Sequence, residues 1–196
     1  MSDVASKTTL DYAAMTAKIS KYVQSCEDSE LGVRKKALTG LHTTLFVEHD
    51  MNDEGYSEVF RDICKKIFKR FADPAEKCRE LAQKITNCFF EQCSDIVPTL
   101  GYYFPALMAR IPAGFGYDED MKVFVSNLEE HEAYKRGRAV DRQDRTTNSG
   151  VTTHTVVEPS EEIRYLTCLS LQALIKRVCA IGACPVLHPY FQEIIF

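Results

Sequence analysis

The sequence predicts an all-α chain built from stacked helix pairs, and three observations predict it. An acid, then a small or branched apolar residue five positions on, then an arginine, recurs three times: Asp28-x4-Val33-Arg34, Asp73-x4-Cys78-Arg79 and Glu158-x4-Ile163-Arg164. A small residue follows each arginine by three positions, at Ala37, Ala82 and Thr167. Each copy opens one run of apolar residues at helical spacing and is preceded by another. Arg34 and Arg79 lie 45 residues apart, within the roughly 40–47 of two-helix repeats. Arg79 and Arg164 are 85 apart, and a polar stretch over 113–157 accounts for the excess.

The expected helices follow in order. The first runs over about 9–25, with Tyr12, Met15, Ile19 and Val23 on one face. Its partner, about 30–46, carries Val33, Ala37, Leu41 and Leu45. The second pair is 54–71, with Val59, Ile63, Ile67 and Phe68, and 74–91, with Cys78, Leu81, Ala82, Ile85 and Phe89. Asp73 reads as the N-cap of 74–91, and Pro74 fits its first position, where a missing N–H costs nothing. Glu158 and Pro159 read the same way before 159–179, which carries Ile163, Thr167, Leu171 and Leu174. Between them, 95–111 holds Val97, Leu100, Tyr103, Phe104 and Leu107, and Pro105 should bend it. A last helix is expected over 185–196. This makes about three and a half helix pairs with a long insert in the third. The apolar close at Ile194-Ile195-Phe196 leads us to expect a longer array, or an end that meets a partner and self-associates in isolation.

Composition excludes several classes. The 196 residues are 45% hydrophobic and 27% charged, with a net charge of −4. That balance points to no nucleic acid and no anionic membrane as partner. No window approaches the roughly 18 apolar residues of a membrane span. The N-terminus lacks the apolar stretch of a signal peptide, so the expected compartment is the cytoplasm. Eight cysteines without a secretory signal are expected to be free thiols. No Cys-x2-Cys occurs, the nearest spacings being Cys88-x4-Cys93 and Cys179-x4-Cys184, and most cysteines fall in apolar helical patterns. No metal site and no cofactor is expected.

No catalytic constellation stands out either. Phosphate-binding, dinucleotide, nucleophile-elbow and zincin motifs are all missing from the sequence. His42, His49, His131, His154 and His188 are scattered, none four residues from another. We therefore expect no enzyme.

The acid–arginine pattern is the signature of HEAT repeats, and the chain resembles that superfamily over nearly its whole length. The resemblance implies a right-handed α–α superhelix of HEAT/armadillo type. It also implies a ladder between adjacent repeats, with Asp28, Asp73 and Glu158 as acids and Arg34, Arg79 and Arg164 as bases. An arginine fork suits a carboxylate or helix-end carbonyls. A narrower likeness lies in 71–82 and 157–164, which look like the N-terminal repeats of HEAT-repeat axonemal dynein assembly factors. These are cytoplasmic proteins needed to preassemble dynein arms, so that likeness implies a scaffold whose partners are dynein chains or chaperones. Other HEAT arrays serve as phosphatase scaffolds or bind tubulin or transport cargo. The acidic turn at 47–53 argues against tubulin.

In HEAT arrays the second helix of each pair lines the concave face. Aligning the copies by their arginines gives the rows Lys35, Glu80, Tyr165 and His42, Asn87, Gln172, extended by Lys84 and Lys176. These rows read either as a partner-facing ridge or as a solvated helix face. The insert 113–157 reads as a polar, largely disordered loop, or as a binding segment. Its acids (118–132) precede a basic run (135–145), and Met121, Val123, Phe124, Val125 and Leu128 suggest a short docked helix.

Overall fold

The computed structural model describes residues 8–108, 117–118, 123–124, 158 and 160–190. Among the described residues six α-helices carry the fold: α1 (Tyr12–Ser25), α2 (Leu31–His42), α3 (Asp53–Lys69), α4 (Glu76–Gln92), α5 (Leu100–Met108) and α6 (Glu161–Ala180). Within the first two repeats α1 packs on α2 and α3 on α4. Between repeats, α1 packs on α3 and α3 on α5, while α2 packs on α4 and α4 on α6. The result is an all-α repeat solenoid of two layers, with first helices in one and second helices in the other.

Local chemistry sets the helix ends. Asp11 caps α1 by accepting from the Ala14 N–H at 2.8 Å, and Asn52 caps α3 by accepting from the Gly55 N–H at 2.8 Å. The first turn of α3 carries Asp53 and Glu54 and its last turn Lys66 and Lys69, complementing the helix dipole. Tyr56, Val59, Phe60, Ile63 and Ile67 are buried along one stripe of α3. At Gly40 an added Cβ would come within 2.5 Å of the Tyr22 ring, so the glycine permits the close approach of α2 to α1.

Aromatic rings fill the centre. Phe60 stacks on Phe89 with centroids 4.4 Å apart, and Phe89 meets Phe46 edge-on at 5.0 Å. Phe90 and Phe68 reach Tyr103 on α5, and Phe104 stacks on Tyr190 at 4.1 Å. Such pairs add to the large apolar area the rings remove from water.

Several expected boundaries shift, each for a local reason. Thr8–Thr9 is a strand paired in parallel with His49–Asp50, so α1 starts at Tyr12 rather than near 9. The second helix is α-helical only to His42 and continues as a π-helix over Thr43–Glu48, which buries Leu45. Asp73 is not the cap of α4. Ala75 holds that position without a side-chain cap bond, and the Asp73 carboxylate accepts from the Ala75 N–H and from Arg34. Ser160, not Glu158, caps α6, accepting from the Ile163 N–H. The 95–111 segment divides into a 3-10 turn, Val97–Thr99, and α5, which holds Pro105.

The last expected α-helix, 185–196, is instead a 3-10 helix over Cys184–Tyr190. Pro185 and Pro189 lie four apart, so the i→i−4 bond between them cannot form. Val123–Phe124 pairs antiparallel with Tyr117–Asp118, which replaces the short helix expected there. The rest of the 113–157 insert, including its acidic and basic runs, lies outside the described residues, as do 191–196. Among the described residues no helix is long and apolar enough to cross a membrane.

Truncating the fully buried Phe89 to alanine should lower unfolding free energy by about 3–5 kcal/mol. The same change at Val47, which is 55% exposed, should stay within about 0.5 kcal/mol. Urea titration of the two variants checks both values.

Candidate functional site

The second-helix layer is organised by one hydrogen-bond arrangement used repeatedly. Arg34 grips Asp73 of the next repeat with two bonds, Nε to Oδ2 at 2.8 Å and Nη2 to Oδ1 at 3.0 Å. Its remaining Nη1 donates to the carbonyls of Asp28 (3.0 Å) and Ser29 (2.8 Å). Arg79 repeats this, holding Glu158 from Nε (2.8 Å) and Nη2 (2.7 Å) and donating from Nη1 to the Asp73 and Pro74 carbonyls. Arg164 Nη1 donates to the Glu158 carbonyl at 2.8 Å. Each arginine thus bonds backbone ahead of its own helix, and Arg34 and Arg79 also clamp the following acid.

The acids are satisfied in the same way. Asp28, Asp73 and Glu158 each accept from the N–H two residues on, at Glu30, Ala75 and Ser160. Asp73 also accepts from Arg70 at 3.1 Å, a contact that the spacing Arg70-x2-Asp73 could have suggested. Burial alone would raise the Asp73 carboxyl, but the Arg34 bonds and the Ala75 N–H outweigh it and hold the group below the usual carboxylate range.

Beside the ladder, a groove of about 370 Å³ opens between α4 and α6. Asn87, Glu91, Gln172, Ala173, Lys176 and Arg177 line it. Three of the expected ridge residues, Asn87, Gln172 and Lys176, therefore meet in one place. Asn87 is half-buried and donates to the Leu166 carbonyl at 3.4 Å, whereas Gln172 and Lys176 are exposed. Arg177, absent from the repeat alignment, anchors the groove floor by donating to the Phe90 and Glu91 carbonyls.

The other ridge residues have separate surroundings. Lys35 is exposed on α2, and Tyr165 is 63% exposed on α6. His42, at the end of α2, is half-buried with Nε2 4.0 Å from the Cys88 sulfur. Burial, then the Lys84 charge, push His42 below its usual range. Glu80 departs from the expectation of a ligand-facing residue. It is buried and held by Lys77 (2.6 Å) and by Lys84, because α6 covers that side of α4. Its neighbour Gln83 receives the Ser170 hydroxyl of α6 at 3.2 Å. Among the described residues no group of three His, Cys, Asp or Glu side chains is placed to hold a metal ion.

An all-α repeat array with an acid–arginine ladder defines a helical-repeat protein. Residues 25–119 match the family model described as dynein axonemal assembly factor 5-like, TPR repeats, so over this stretch the chain is similar to that family. The match takes in α2 to α5 and leaves α6, with Arg164, outside. The 45-residue spacing of Arg34 and Arg79 is longer than the roughly 34 of ordinary TPR units and falls in the HEAT range. No curated protein and no solved structure matches the chain.

Because Asp73 titrates lower folded than unfolded, its contribution to stability is present above about pH 3.9 and lost as pH falls through the folded value. Asp73→Asn should therefore cost about 3 kcal/mol at pH 7, where it leaves Arg34 without its anion. The gap to the native chain should narrow as pH drops below about 4, as read by denaturant midpoints across a pH series.

Proposed function

We propose that this protein is a non-catalytic scaffold that acts in the cytoplasm in the preassembly of axonemal dynein arms, holding a dynein chain or a chaperone against its second-helix layer. The match of residues 25–119 to the dynein-assembly-factor repeats carries this reading. The α4–α6 groove supplies the contact: an apolar floor from Phe90 and Ala173, with a rim of Gln172, Lys176 and Glu91. An apolar floor inside a polar rim suits a protein surface. The mixed rim, rather than a one-signed field, suits selection among protein partners over capture of any polyanion. Lys35 and Tyr165 extend the same layer with exposed cationic and aromatic side chains.

The test is an affinity pull-down from ciliated-cell cytosol with the 196-residue chain as bait, read by mass spectrometry. Dynein chains or their chaperones should be recovered. Recovery of phosphatase subunits, tubulin or transport cargo in their place would overturn the reading. Gln172→Trp, which fills the groove from an exposed position, should leave the helical spectrum unchanged and weaken capture of the recovered partner about tenfold, near 1.4 kcal/mol.

A further inference from the structure

Cys179 and Cys184 stand apart from the other cysteines. Their sulfurs are 3.0 Å apart, with Cys184 donating to Cys179, against about 2.05 Å in a disulfide. Both are exposed free thiols. Cys26, Cys64, Cys78 and Cys93 are buried, and burial pushes Cys26 and Cys93 up to about 12, so these stay protonated and shielded. Cys168 is exposed but lies elsewhere on α6.

The turn that brings the pair together is rigid. α6 ends in a Schellman cap, with Gly182 N–H bonding the Cys179 carbonyl at 3.0 Å and Ala183 N–H bonding the Val178 carbonyl at 2.9 Å. Gly182 has φ +71°, a conformation that a side chain would strain. Beyond the turn, Leu187 is buried and Tyr190 stacks on Phe104 of α5, which holds the Cys184 segment in place.

We propose that Cys179 and Cys184 form a dithiol modification site that small-molecule disulfides of the glutathione class oxidise to an intramolecular disulfide. Whichever thiol first loses its proton to solvent attacks the small disulfide RS–SR. An S–S bond forms to the protein, and one RS⁻ leaves and is protonated. The second cysteine, deprotonated in turn, attacks the protein-side sulfur and expels the other RS⁻. Two protein thiols are oxidised by two electrons and RSSR is reduced to two RSH. The bond pins the 3-10 segment to the end of α6. The thiol–thiol hydrogen bond holds Cys179 above its ordinary range.

The experiment equilibrates the 196-residue chain in glutathione buffers of increasing oxidised fraction, alkylates free thiols, and maps tryptic peptides by mass. Cleavage after Arg177 leaves residues 178–196 in one fragment, which contains Cys179 and Cys184 and no other cysteine. The expected result is that fragment unalkylated and lighter by two hydrogens, reversed by dithiothreitol, at buffer ratios where the Cys168 peptide still alkylates. With Cys184→Ser, the fragment should carry one glutathione on Cys179 instead. The proposal is overturned if both cysteines alkylate fully where Cys168 is already glutathionylated. Separate glutathione adducts on each, or a bond from either to another chain, also overturn it.

Discussion

The Arg79 guanidinium lies almost out of solvent between two repeats, and all three of its nitrogens are occupied. Two hold Glu158 of the following repeat, and the third holds the carbonyls just ahead of its own helix. Arg34 does the same with Asp73. Removing a charge from water costs several kcal/mol, which the pairing recovers only with good geometry and full hydrogen bonding. A shift of one helix against the next would strand an arginine and a carboxylate together. The ladder therefore fixes which turn of α4 faces α2, and which turn of α6 faces α4.

Apolar packing supplies the bulk of the stabilisation but sets position less sharply. The attraction that gathers Phe46, Tyr56, Phe60, Phe89 and Tyr103 scales with apolar area and does not by itself select among helix registers. Directional bonds at the helix starts select among them. The groove between α4 and α6 inherits its shape from this selection, since Asn87 and Gln172 sit two turns beyond Arg79 and Arg164 on their helices. A groove built on helices fixed at their N-termini keeps one contour.

The ladder was legible because its parts are local in sequence. The arginine follows its repeat's acid by six residues, so the pattern survives in the chain as written. The groove was half legible: aligning the repeats put Asn87 and Gln172 in one row, with Lys176 as an extension of it, but Arg177 lay a position off that extension. Glu80 was misread because alignment ignores the neighbouring helix, and α6 covers the face that an isolated α4 would show to water. The pairing of Thr8–Thr9 with His49–Asp50 is non-local and left no periodic signal. At the last segment the apolar spacing suggested an α-helix, and two prolines four apart decided against it.

A double-mutant cycle at Arg79 and Glu158, with unfolding free energies measured for Arg79→Met, Glu158→Met and the pair, tests the ladder most directly. The account predicts that each single change costs about 3–5 kcal/mol and that the double change costs far less than their sum, a coupling of about 2 kcal/mol or more. Additive losses, with coupling near zero, would mean that the two side chains act independently and that the ladder does not set the register of the repeats.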